Sequence, residues 1–127
     1  MIETLIVFLG AGLGGVLRHG LNGACTRWCG PEFPYGILLI NSLGSFLMGL
    51  LAGYFAFKAS EVWSQSMRLF MATGILGGFT TFSTFSLDAV LLWERGDMIL
   101  SIVYVLGSVI LGIAGLIAGL AIMRALA

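Results

Sequence analysis

The chain has 127 residues, the length of one domain, and 59% of them are hydrophobic while only 9% are charged. An ordinary soluble domain carries about 25% charged residues, so this chain has too few polar residues to cover the outside of a soluble protein. Six Lys and Arg residues balance six Asp and Glu residues, which excludes the basic surface that nucleic-acid binding requires. The composition therefore indicates an integral membrane protein.

Charged residues divide the chain into four long apolar stretches. They cover approximately residues 4–23, 35–57, 69–93 and 98–123, and each reaches the roughly 20 residues that an α-helix needs to cross a bilayer. The runs are continuous, as expected for helices that satisfy their own backbone groups in lipid. We predict an all-α membrane protein with a single transmembrane domain over residues 1–127. Aromatic residues near the predicted ends indicate an interfacial belt: Trp28, Tyr35, Trp63 and Trp93.

The predicted connectors are short. They are a loop that includes residues 27–34, a polar connector at 58–68 and a tight turn at 94–97. None can fold by itself, so the function must lie in the helices and their caps. The chain has no phosphate loop and no Ser–His–Asp set, and Cys25 and Cys29 are too few for a four-ligand zinc site. An enzyme is not expected.

Two polar side chains lie within the first two apolar stretches. Arg18 either reaches out to the interface or provides a positive vestibule that attracts anions. The amide of Asn41 has two N–H donors, and in lipid it must meet a neighbouring helix or face a cavity. These residues alone do not decide between the alternatives.

The third stretch contains a segment whose residues have a low propensity for α-helix. Residues 74–86 hold three Gly, five hydroxyl residues and three Phe. Non-helical backbone at membrane depth is tolerated only inside protein or beside a watery cavity, and broken helices of this kind bind ions. We predict a break near Gly77 and Gly78, with an unbroken helix as the alternative. Phe82 and Phe85 share a helical face, where they pack or present positive ring edges to an anion.

Lys and Arg residues are evenly divided between the two predicted sides of the membrane. Lys58, Arg68 and Arg124 lie on one side, and Arg27, Arg95 and Arg18 belong to the other. Either this small chain carries too weak an orientation signal, or it inserts both ways and pairs as an antiparallel dimer. Four helices are few to enclose a pathway, so an oligomer is expected. Glycines with small-xxx-small spacing predict close helix contacts: Gly10 and Gly14, Gly49 and Gly53, Gly115 and Gly119.

Residues 77–86, which read GGFTTFSTFS, strongly resemble the signature of the Fluc (CrcB) fluoride channels. Gly12, Gly15 and Arg18 in the first stretch also fit this family, as does Tyr35-Gly36 leading to Asn41 in the second. The resemblance covers essentially the whole chain. It implies an antiparallel, dual-topology homodimer in the bacterial inner membrane, with two pores that passively export cytoplasmic fluoride. It also implies that the third helix is broken at this motif.

The resemblance implies roles for individual residues. The backbone carbonyls of Gly77 and Thr80 would hold a central sodium ion, and Arg18 would lie near the aqueous vestibule. Asp88 stands where relatives often carry Glu, and His19 where Trp is common, which leaves the roles of both positions open. The implied pore residues are Asn41, Phe82, Phe85, Ser83, Thr84, Tyr104 and Ser108.

Two other classes of membrane protein compete with this interpretation. A small multidrug transporter has a similar length, but it needs a carboxylate midway along its first helix, and this helix has none. A purely structural membrane subunit explains the apolar stretches but gives no reason for the polar segment in the third. Fluoride channel is therefore the predicted function.

Overall fold

The computed structural model describes residues 1–58 and 64–127, and this part of the chain is almost entirely helical. The first two helices are α1 (Ile2–Cys29) and α2 (Tyr35–Phe57), and the last is α6 (Met98–Leu126). Between them, the third span consists of α3 (Ser64–Arg68), a π-helical segment (Leu69–Leu76), α4 (Gly77–Phe79) and α5 (Phe82–Glu94). Four helical stretches are long and apolar enough to cross a membrane. The predicted all-helical, multi-pass membrane architecture is confirmed.

The first helix is longer than the sequence analysis predicted. We placed the end of the first span at residue 23 and Arg27 in a loop, whereas α1 continues to Cys29. The loss of hydrophobicity marks where a helix leaves the hydrocarbon, not where its hydrogen bonds stop. α1 ends at Gly30, because its φ of 85° takes the backbone out of the helix and Pro31 follows directly. Part of the predicted connector, including Glu61 and the interfacial Trp63, lies outside the described residues.

The third span changes its backbone geometry three times near its middle. The π-helical segment ends at Leu76, and Gly77 itself is helical, with φ −63° and ψ −36°. Thr80 (φ −82°, ψ 157°) and Thr81 (φ −152°, ψ 123°) are extended, and α5 begins at Phe82. The extended residues therefore follow the Gly77-Gly78 pair rather than coinciding with it.

Glycines bring the helix backbones close together in two places. In α1, a Cβ on Gly10 would lie 2.9 Å from the Gly74 Cα atom, and a Cβ on Gly14 would collide with the Ile75 carbonyl. Between α2 and α6, Gly49 lies against Leu116 and Gly53 against Met123. The predicted small-residue contacts are confirmed. The increasing residue numbers along both helices show that α2 and α6 run parallel.

Five buried residues form the apolar core: Ile37, Ile40, Phe79, Leu92 and Tyr104. They come from α2, α4, α5 and α6, so the core fixes the interrupted third span between its neighbours. Most other large apolar side chains are exposed on the outside of the molecule. An apolar outside around a small core is what a protein surrounded by lipid requires.

Candidate ion pathway

The side chain of Asn41 forms a pair of hydrogen bonds with the backbone of Thr81. Asn41 Nδ2 donates to the Thr81 carbonyl at 2.9 Å, and the Thr81 N–H donates to Asn41 Oδ1 at 2.8 Å. From the sequence, Asn41 was expected to meet a neighbouring helix or to face a cavity. Asn41 does both: these two bonds join it to the third span, and the residue also lines the cavity described below. The second amide hydrogen of Asn41 takes no part in the two bonds.

Two amide groups in this region donate to side chains instead of to the helical backbone. In a continuous α-helix the N–H of residue i donates to the carbonyl of residue i−4. The Thr81 N–H would then bind the Gly77 carbonyl, but it binds Asn41 Oδ1. The Thr84 N–H would bind the Thr80 carbonyl, but it binds Thr81 Oγ1 at 3.2 Å. The carbonyls of Gly77 and Thr80 have therefore lost their usual α-helical donors.

Arg18 contacts the extended segment from α1. Its Nη1 atom donates to the Thr80 carbonyl at 3.2 Å, and its side chain is half-buried. The interfacial alternative for Arg18 is therefore wrong, because the side chain is drawn to a carbonyl inside the protein. Its position next to the polar part of the third span is compatible with the predicted vestibule.

An open cavity of about 340 Å³ lies beside the extended residues. Four of the predicted pore residues line this cavity, and they come from three different elements: Asn41 from α2, Phe82 and Phe85 from α5, and Ser108 from α6. The remaining lining residues are Gly44, Ser45, Met48, Thr80, Thr81, Val109, Gly112 and Leu116. Among the residues that the structure describes, the cavity wall combines hydroxyl, amide and aromatic groups and contains no charged side chain.

The two phenylalanine rings at this cavity lie close to each other. Their centroids are 5.6 Å apart and their planes are inclined by 49°, so the predicted shared face is confirmed. The side chain of Phe82 is 80% exposed, whereas Phe85 is half-buried and packs against Tyr104 at a centroid distance of 5.3 Å.

Two serine hydroxyls are buried without a hydrogen-bond partner among the described residues. Ser108 is a residue of the cavity wall whose Oγ atom is itself buried, and Ser42 lies one residue beyond Asn41 on α2. Ser108 was predicted as a pore residue and Ser42 was not. The sequence did contain a signal for Ser42. A hydroxyl that lies in an apolar stretch, next to a buried amide, needs a hydrogen-bond partner of its own.

The remaining predicted pore residues lie next to the cavity rather than on its wall. Thr84 Oγ1 is 3.2 Å and Ser83 Oγ is 3.4 Å from Thr81 Oγ1, so these hydroxyls form a small cluster at the start of α5. Tyr104 is fully buried, and its hydroxyl donates to Asp88 Oδ2 at 3.2 Å. Asp88, whose role the sequence left open, is therefore the partner of the tyrosine that supports Phe85.

The chain was compared with known protein families and proteins. Residues 5–120 match the family model described as "CrcB-like protein, Camphor Resistance (CrcB)". A protein named Fluoride-specific ion channel FluC from Rhodopseudomonas palustris (strain BisB5) is 60% identical over 122 residues, which cover 96% of this chain and 97% of the relative. Proteins of the same name from Methylobacterium nodulans (strain LMG 21967 / CNCM I-2342 / ORS 2060) and Rhizobium etli (strain CIAT 652) are 58% and 46% identical, covering 98% and 100% of both chains. These are names of channels, so the prediction that the chain is not an enzyme is confirmed.

Proposed function

This chain belongs to the CrcB family, whose model matches residues 5–120, and because its relatives are named fluoride-specific ion channels, we propose that it is a fluoride-selective channel. It exports cytoplasmic fluoride by passive conduction through two pores of an antiparallel homodimer that holds one central sodium ion. The channel thereby removes fluoride that enters the cell as the neutral weak acid.

The observation that carries the proposal is the cavity lined by Asn41, Phe82, Phe85 and Ser108. Fluoride is small and strongly hydrated, so a pathway must replace its water shell with other donors. The unpartnered hydroxyl of Ser108 and the second amide hydrogen of Asn41 are such donors, and the ring edges of the phenylalanines add weak attraction. Neutral donors bind weakly enough to let the ion leave again, which conduction requires.

A second copy of the chain completes this pathway. The cavity is open on one side, and Phe82 at its edge is 80% exposed. An aromatic ring that belongs to a polar pathway gains nothing from facing lipid. The nearly even division of Lys and Arg permits an antiparallel partner, and two identical cavities in such a dimer give two pores.

The residues around the extended segment fit a sodium ion. Backbone carbonyls suit a hard cation, and the carbonyls of Gly77 and Thr80 have lost their α-helical donors to Asn41 Oδ1 and Thr81 Oγ1. Gly77 is exposed, so its backbone is accessible to a partner subunit. We propose that these two carbonyls of each subunit hold the ion, which supplies a fixed positive charge that joins the two copies. The interruption at Thr80 and Thr81 is the feature that makes these carbonyls available.

Ion flux from liposomes tests the channel function. Vesicles that contain the purified protein are loaded with potassium fluoride or potassium chloride, and efflux is followed with the matching ion-selective electrode after an ionophore releases the potassium. We expect rapid fluoride efflux and almost no chloride efflux, with empty vesicles as the control. If fluoride stays inside while the protein is demonstrably folded, the channel proposal is wrong.

A further inference from the structure

We propose that Asn41 and Thr81 are positioning residues for the sodium site, a role that rests on the proposed function and refines it. Each supplies a side-chain oxygen that takes an amide hydrogen away from one of the two carbonyls that the site uses. Asn41 Oδ1 accepts from the Thr81 N–H at 2.8 Å, which leaves the Gly77 carbonyl without its α-helical donor. Thr81 Oγ1 accepts from the Thr84 N–H at 3.2 Å, which leaves the Thr80 carbonyl without its α-helical donor.

The consequence is a pair of carbonyls without their α-helical donors; the Gly77 carbonyl has lost its donor to Asn41, and the Thr80 carbonyl accepts from Arg18 in place of the Thr84 amide. A backbone carbonyl at membrane depth must be satisfied within the protein. When its helical donor is diverted, a hard cation is a favourable replacement. Without the two side-chain oxygens, the Thr81 and Thr84 amides would be free to return to the carbonyls of Gly77 and Thr80 and close the helix. The side chains therefore determine whether the site exists at all.

Asn41 also fixes the direction of the extended backbone. Its Nδ2 atom donates to the Thr81 carbonyl at 2.9 Å, so both polar groups of Thr81 are held by one amide from α2. The Thr80 carbonyl is contacted from the other side by Arg18, at 3.2 Å. A carbonyl oxygen has two lone pairs, so this contact leaves one for the cation.

This role for Asn41 differs measurably from that of a fluoride ligand. A residue that only binds fluoride affects the maximal flux and leaves the sodium requirement unchanged. A positioning residue changes the sodium concentration that the protein requires. Both roles are open to Asn41, because its second amide hydrogen is not used in the pair with Thr81.

The experiment measures the response to sodium in two independent ways. The thermal unfolding temperature in detergent and the fluoride efflux from liposomes are recorded against sodium concentration after long incubation, since an ion that binds the folded state raises its stability. The variants are Asn41→Ala, Thr81→Val, which has the shape of threonine without its oxygen, and Thr81→Ser, which keeps the oxygen. Asn22→Ala is the matched control, because it removes an amide on α1 that is also half-buried and that makes no hydrogen bond to the extended residues Thr80 and Thr81.

We expect Asn41→Ala and Thr81→Val to raise the half-saturating sodium concentration at least about tenfold, equivalent to about 1.4 kcal/mol. Thr81→Ser and Asn22→Ala should stay within about twofold of the natural protein. Unchanged sodium dependence in Asn41→Ala and Thr81→Val, with lower maximal flux, would overturn the inference and leave these residues as pore wall only. If Asn41→Ala does not fold, the Val and Ser variants of Thr81 decide the question. If the natural protein does not respond to sodium, the sodium site and this inference both fail, whereas its fluoride flux still tests the channel.

Discussion

Phe82 and Phe85 are the same residue type in two different environments. Phe85 is held against Tyr104, whose hydroxyl is fixed by Asp88, while Phe82 is 80% exposed. The spacing of three residues predicted their shared face, because it depends only on helix geometry. The support from Tyr104 was not predictable, since it depends on how α6 packs against α5. In the proposed dimer, a second subunit would supply the contacts that orient Phe82.

Replacing either phenylalanine with isoleucine tests the role of the rings in conduction. Phe82→Ile and Phe85→Ile keep an apolar side chain but remove the positive ring edge. If each ring lowers the barrier by about 1.4 kcal/mol, fluoride efflux falls about tenfold, while the elution volume in size-exclusion chromatography stays that of the natural protein, the proposed dimer. Phe8→Ile is the control, because Phe8 is 71% exposed on α1 and does not line the cavity. Unchanged efflux in both pore variants would assign the two rings to packing.

Asn41 shows how far a single residue can be interpreted from the sequence. An amide in an apolar stretch must have a partner, and this requirement was predictable. The partner is the backbone of Thr81, 40 residues away along the chain. No local pattern marks a backbone group as a partner, since every residue except proline has the same N–H and C=O. The identity of the partner therefore depends on the packing of α2 against the third span.

At the level of elements, the third span departs most from what its sequence predicted. The three Gly and five hydroxyl residues of 74–86 identified the region, but the extended residues are Thr80 and Thr81 rather than Gly77 and Gly78. Glycine lowers the stability of a helix without preventing it. At the point where the helix stops, the amide hydrogens of Thr81 and Thr84 bind side-chain oxygens instead of helix carbonyls. The π-helical segment was not predicted at all, and it lies where α1 approaches the third span through Gly10 and Gly14.

The contact between α2 and α6 gives a test of close helix packing. A Cβ on Gly119 would lie 2.7 Å from Leu50 N, and it would also collide with the Phe46 carbonyl. These are backbone atoms, which cannot move away from the new Cβ as the end of a flexible side chain can. Gly119→Ala should therefore destabilise the fold by about 1–3 kcal/mol and lower the unfolding temperature in detergent. Gly107→Ala on the same helix is the control, because a Cβ there would have no atom of the described residues 1–58 and 64–127 within 4 Å. Equal unfolding temperatures for the two variants would show that the contact contributes little.

At the scale of the whole molecule, the structure changes the number of Lys and Arg residues that count on each side of the membrane, and this number sets the orientation in which the chain inserts. Arg18 contacts the Thr80 carbonyl within the protein, so it no longer counts as a cation of a connector. Two cations then remain at one end, Arg27 and Arg95, against Lys58, Arg68 and Arg124 at the other. Because α2 and α6 run parallel, their C-terminal ends lie together, which places Lys58 and Arg124 on one side. The excess is a single cation, which is a weak preference for one orientation.

Dual topology can be tested by shifting this balance in both directions. Gln65→Lys with Ser66→Lys adds two cations at exposed positions of α3, which should fix one orientation. Glu32→Lys with Glu94→Lys adds two at the opposite end and should fix the other, because Lys and Arg set the orientation of short loops. A C-terminal reporter should then be found on one side of the membrane for each variant and on both sides for the natural chain. Each variant alone should fail to protect cells from fluoride, because it lacks an inverted partner, and co-expression of the two should restore protection. Full protection by either variant alone, with its reporter on one side only, would show that an antiparallel pair is not needed.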